Sequence, residues 1–184
     1  MNIFKSIAVV VVLIGTIYLL HQQYKEASAL DNSIYQYIQQ ANVTSSAYYL
    51  NKERAFQEEQ QLSAIDQLIL QMDQHLQARE HLDVLAKGNL LLKSDPDNLE
   101  ALLRMGIVYL KEQDHDLAQE QFLIIHQASV AEPMRMEAAW YLALLQSQQG
   151  RWEQSQKYLE EVIKVPTNYS HLAEQLLAQI ERQL

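Results

Sequence analysis

The chain has 184 residues, a net charge of −9, no Cys, 4 Gly and 3 Pro. So little Gly and Pro argues against an all-β fold, which spends those residues on its turns, and 24 Gln favour long polar helices. Without Cys there is no disulfide framework, thiolate zinc site or lipidated N-terminal Cys. The acidic balance, with pI near 5.1, lacks the basic cluster that phosphate binding needs, so no nucleic-acid partner is expected.

Residues 1–24 read as a transmembrane signal-anchor helix. Ser6 to Leu20 is uncharged and mostly apolar; at 1.5 Å per residue it covers roughly 22 Å, short of the roughly 30 Å hydrocarbon core. Ile3 and Phe4 lengthen it if Lys5 extends its ammonium to the interface. Tyr18 and Tyr24 then suit the opposite headgroup belt, giving a span over residues 3–23. The N-terminal amine and Lys5 favour an N-terminus inside and a body outside the cytoplasm, on the periplasmic side of an inner membrane. The rival is a cleaved signal peptide, for which Ala27-Ser28-Ala29 supplies the small-residue box.

Residues 25–61 read as a polar helical linker. Ala27, Leu30, Ile34, Tyr37/Ile38 and Ala41 recur at helical spacing, and Asn42-Val-Thr-Ser-Ser46 breaks the pattern with side chains that compete for backbone hydrogen bonds. A second helix is expected from about Ser46, carrying Tyr48, Tyr49, Ala55 and Phe56. Leu62, Ile65, Ile69, Met72 and Leu76 follow at 3-4-3-4 spacing. That stripe suits either packing on the next domain or a coiled coil with a partner.

Pro96, Pro133 and Pro166 are spaced by 37 and 33 residues. Asp95-Pro-Asp-Asn98 has the form of a turn and helix start, with Asp97 and Glu100 placed like a capping box. Leu102, Met105, Gly106, Tyr109, Ala118 and Phe122 then alternate large with small: Gly106 and Ala118 let two antiparallel helices approach, and Tyr109 and Phe122 fill the gaps beside them. Gly150, in Gln149-Gly-Arg-Trp, suits the left-handed residue that ends a helix. Around it Leu142, Ala143, Ser155, Leu159 and Val162 repeat the pattern, with Ala143 and Ser155 small at the crossing. Residues 129–135 enlarge the turn between the two units. A degenerate earlier unit ends at Leu85 to Pro96, its first helix near Leu62 to Leu76. Asn168 to Leu184, with Leu172, Leu176, Leu177 and Ile180, is suited to capping the stack.

Residues 62–184 therefore resemble tetratricopeptide repeat proteins, whose period is about 34 residues of paired helices. The resemblance implies an all-α solenoid of about two and a half repeats plus a capping helix. It also implies a concave groove, lined by first helices, that binds an apolar peptide segment or partner helix. Matched position by position, the partner-binding groove is Leu103, Arg104, Ile107, Leu110, Lys111, Trp140, Tyr141, Leu144 and Gln148, with Glu100 and Glu137 at its edges and Trp140 as the expected hot spot. The same apolar residues could instead pack on the chain's own helices. The Lys, Asn and Arg clamp with which one subgroup grips a C-terminal carboxylate is largely missing from these positions.

No H-E-x-x-H, G-x-S-x-G, G-x-x-x-x-G-K-[ST] or G-x-G-x-x-G occurs. His75 and His81 are six apart and fall on different helix faces, and the doublets Glu58-Glu59 and Glu160-Glu161 suit solvated surface. No enzyme, cofactor or metal is expected. The expected function is a membrane-anchored adaptor or scaffold, an assembly or stabilising factor for an envelope complex. The alternatives are a permanent accessory subunit of a membrane complex, or a soluble periplasmic coordinator after cleavage near Ala29.

Overall fold

The computed structural model describes residues 2–41, 63–128 and 132–182, with side chains from Gly15 onward. Among these residues are eight α-helices and no strand: α1 (Asn2–Gln40), α2 (Ala64–Ala78), α3 (His81–Ser94), α4 (Leu99–Lys111), α5 (His115–Gln127), α6 (Glu132–Gln148), α7 (Trp152–Ile163) and α8 (Ser170–Glu181). The all-α expectation holds. The predicted helix from Ser46 lies outside the described residues.

Where the sequence suggested a span followed by a separate linking helix, α1 is one helix of 39 residues. No Gly or Pro stands between Thr16 and Gln40 to interrupt it. The side chains of residues 3–14, which make up much of the predicted span, lie outside the described ones. Among the described residues no helix is long and apolar enough to cross a membrane.

Three turns set the repeat. Arg79, Gln113 and Gly150 all sit in the left-handed region, with φ of 61°, 63° and 70°. Each ends the first helix of a pair. The N–H groups of Glu80, Asp114 and Arg151 donate to the carbonyls of His75, Tyr109 and Gln146 at 2.8, 2.9 and 2.9 Å. Arg79, Gln113 and Gly150 donate in turn to Leu76, Leu110 and Ser147. This is the Schellman pattern three times over, and it joins α2 to α3, α4 to α5 and α6 to α7. Gly150 plays the part its sequence suggested, and the degenerate first unit makes the same turn without a glycine. A side chain in this region costs about 1–2 kcal/mol. Gln113→Gly, at an exposed site, is therefore expected to raise the urea midpoint, by about 0.5–1 kcal/mol of stability after the added chain entropy of glycine.

Helix crossings follow the small residues. A Cβ on Gly106 would lie 2.7 Å from Cε1 and 3.0 Å from Cζ of the buried Phe122 ring, so α4 and α5 touch there only because that atom is absent. At the next crossing Ser155 Oγ donates to the Ala143 carbonyl at 3.0 Å and lies 2.6 Å from Ser147 Oγ. Gly88 is a close approach that the sequence did not single out: its Cβ would meet Met105 Cγ at 2.7 Å and Met72 Cε at 3.1 Å. The two sites differ in what must yield, a rigid ring at Gly106 and flexible thioethers at Gly88. Gly106→Leu is expected to lose about 1–3 kcal/mol or more through overpacking, read as a lowered thermal midpoint, with Gly88→Ala the milder variant.

One helix start differs from expectation. Asn98, not Asp97, caps α4: its Oδ1 accepts from the Ala101 N–H at 3.0 Å, and its amide donates to Asp95 at 2.8 Å. Glu100 turns instead to Arg104. The reciprocal capping box forms on α2, where Ser63 and Asp66 each accept from the other's backbone N–H. Ile69, Met72 and Leu76 of α2 are buried in the common core, which favours packing within the chain for the 3-4-3-4 stripe. At the far end, Ala173, Leu176 and Ile180 bury one face of α8.

Candidate functional site: the groove and its occupant

The first helices α4 and α6 carry the predicted groove residues. Leu103, Arg104, Ile107, Leu110, Tyr141 and Leu144 are all fully buried, and Trp140 is 2% exposed; Lys111 and Gln148 are half-buried at the rim. In α6 every residue from Met136 to Ser147 is buried. A groove-lining helix would normally leave one face open. Here the end of α1 lies along that face, touching α4, α6 and α8.

The contact is a single stripe. Leu30, Ile34, Ile38 and Ala41 are buried, one face of a 3.6-residue period. Tyr37 sets its ring edge-on to Trp140, centroids 5.5 Å apart at 70°, and Trp140 stacks on Tyr169 at 5.6 Å and 19° on its other contact. The Lys111 ammonium donates to the Gln39 carbonyl at 3.3 Å. That carbonyl belongs to the last turn of α1, where four acceptors have no partner within the helix and the dipole end is negative. Burial first, and then the Arg79 guanidinium, lower the pKa of Lys111. Burial raises that of the Tyr37 phenol.

The polar groove positions are tied within the chain. Arg104 donates from Nε and Nη2 to the two Asp73 oxygens at 2.7 and 3.1 Å, and from Nη1 to the Glu100 carboxylate at 2.6 Å and carbonyl at 2.8 Å. Burial opposes its charge, but Asp73 and then Glu100 outweigh burial and raise its pKa above the ordinary arginine value. Glu137 accepts from the Tyr169 hydroxyl at 2.9 Å, and that hydroxyl lies 3.2 Å from the one on Tyr141. Arg104 and Glu137 thus clamp neighbouring elements together. At the first Schellman turn, ligand-type atoms of His75, Glu80 and Asp83 lie within 4.8 Å of one another, with His75 Nδ1 2.6 Å from Glu80 Oε2.

Sequence matching assigned these residues to a groove and left open whether the chain's own helices cover them; in the structure the end of α1 lies against α4 and α6. The signals were present in two pieces. The run Ala138 to Leu145 is apolar throughout, and a helix apolar on all sides is one covered on all sides. The stripe Leu30 to Ala41 needed a partner surface. Asp73 and Tyr169, which hold Arg104 and Glu137, carry no signal of their own.

The geometry is that of paired antiparallel helices repeating every 34 to 37 residues. Residues 100–126 and 137–166 match the family model of the tetratricopeptide repeat. No curated protein and no solved structure matches the chain. The matched stretches contain α7, nearly all of α4 and α5 and most of α6, so the three-pair frame extends beyond them to α2 and α3. Tetratricopeptide repeats typically bind other proteins, so the match supports a protein partner in general terms.

Proposed function

We propose that the protein is a membrane-anchored tetratricopeptide adaptor that holds partner proteins beside an inner membrane. In this reading residues 3–23 span the bilayer, the N-terminus is inside and the repeats face the extracytoplasmic side. Its clients are subunits of an envelope membrane complex that it helps to assemble or stabilise. Leu103, Arg104, Ile107, Leu110, Lys111, Trp140, Tyr141, Leu144 and Gln148 form or brace its partner groove.

The observation that carries the reading is the way α1 leaves the body. From Gly15 to Ala29 it is exposed on every side, with Ile17, Tyr18, Leu19 and Leu20 each more than 60% exposed. The uncharged stretch from Ser6 runs directly into them. A helix apolar on all faces is stable in lipid or in a protein core, not in water. Leu30, where docking begins, is only six residues beyond Tyr24, so an anchored body sits within about 10 Å of the headgroups along a continuous helix.

Affinity purification of the full-length protein from native membranes in mild detergent tests this. Membrane partners in fixed proportion are expected, and alkaline extraction should leave the protein in the pellet. Release of the intact chain into the soluble fraction, without partners, would overturn the reading. One observation favours a second: Ala27-Ser-Ala29 stands just before the first docked residue, so cleavage there would leave a soluble body with its groove still filled. Intact mass of the mature chain separates the two.

A further inference from the structure

Resting on the adaptor reading, we infer that the groove is a receptor for an amphipathic helix of one polarity, that residues 30–41 are its resident occupant, and that the partner is a protein helix bearing the same stripe, which exchanges with them.

The groove has to be occupied. Without α1, Trp140 would lose its Tyr37 contact and α4, α6 and α8 the element that lies against them, and apolar surface opened in this way marks docking sites. The occupant must be a helix, because the chain's own solution buries positions 30, 34, 38 and 41 with Tyr37 between them. A β-strand would place alternate residues, not every third or fourth, on the apolar floor.

Direction is fixed by one side chain. Lys111 reaches a carbonyl of the occupant's last turn. A helix entering backwards would bring N–H groups and the positive dipole end to the same ammonium. The occupant is thus specified as a helix ending at Lys111, with an aromatic residue near its end to meet the Trp140 ring and aliphatic residues one and two turns before it.

The resident helix is held by one face only. Tyr35 is exposed, and Asp31, Asn32 and Tyr35 line an open cleft against Gln148. By contrast α6 is enclosed on every side. A second helix with the same stripe makes the same contacts at no added strain. Its disadvantage is tethering: the resident segment acts at an effective concentration in the millimolar range, so apparent affinity for the partner falls by the fraction of groove that stands open. A partner helix concentrated beside the same membrane overcomes that deficit.

The test uses the full chain in detergent and a fluorescent peptide of residues 28–41 as probe. The Ile34→Glu variant, which weakens the resident helix, is expected to bind the peptide at least about tenfold more tightly than the unaltered protein. Adding Lys111→Glu should abolish that gain. Because the chain has no Cys, Tyr35→Cys with Gln148→Cys allows a cleavable crosslink across the cleft. The crosslinked protein should lose peptide binding and regain it on cleavage, and this comparison decides the matter even if Ile34→Glu fails to fold. Equal binding by crosslinked and cleaved protein would overturn the proposal, as would a folded Ile34→Glu variant that binds no more tightly. Membrane partners that co-purify equally with the crosslinked form would sink the groove proposal and leave the adaptor reading standing. Peptide exchange without any co-purifying partner would overturn the adaptor reading and the partner half of the inference, leaving only residues 30–41 as a displaceable occupant.

Discussion

Arg104→Ala is expected to destabilise the fold by about 3–5 kcal/mol, the cost of breaking a buried ion pair by removing one partner. Arg104 is fully buried, and Asp73 is 3% exposed. The guanidinium satisfies both Asp73 oxygens and two acceptors on Glu100. Deleting it strands the Asp73 carboxylate between α2 and α4, where water does not reach. The loss should appear as a lower urea midpoint with an unchanged slope. Charge and packing are separated by a further variant. Arg104→Met with Asp73→Leu removes both charges and keeps the volume, so it should recover much of the loss. If the single and double variants are equally unstable, the network contributes through packing alone. Arg104 then acts as a brace between the first and second helix pairs, whatever binds the groove.

Trp140→Ala is the second large loss, about 3–5 kcal/mol for a buried aromatic cut to a methyl. Sequence matching made Trp140 the expected hot spot, whose loss would weaken partner binding with less loss of helicity than Gly106→Leu if the indole faced the groove. The structure encloses it between Tyr37 of α1 and Tyr169 before α8. Truncation should therefore both lower stability and loosen α1. A double-mutant cycle with Tyr37→Ala is expected to give a coupling of about 0.5–1.5 kcal/mol, the usual range for an edge-on aromatic pair. A loss below about 1 kcal/mol for Trp140→Ala would mean that the indole faces solvent when the groove is open.

Much of the repeat frame was legible because it depends on local chemistry. Gly150 ends α6 because a residue with positive φ favours glycine. Gly106 and Ala143 mark crossings because only small side chains fit there. The corresponding turns at Arg79 and Gln113 were harder to find, since nothing in those side chains announces a left-handed backbone. There the three hydrogen-bonded turns reveal a period that the residues conceal. The start of α4 slipped by one residue because Asp97 and Asn98 can both cap a helix, and the choice falls to whichever reaches the Ala101 N–H.

The sequence by itself determined that the chain is helical, that its helices pair with a period near 34 residues, and that an apolar segment precedes them. These follow from turn residues, small residues and spacing, all of which act over a few positions of chain. Only the tertiary structure decided that the end of α1 folds back into the groove and that Arg104 serves Asp73 rather than a ligand. Lys111 and Gln39 are 72 residues apart, and Arg104 and Asp73 are 31 apart. An apolar stripe states that it must be covered but not by what, because burial is non-directional and any complementary face will serve. The choice of face is made when the helices stack, and among the described residues the end of α1 is what lies against α4, α6 and α8.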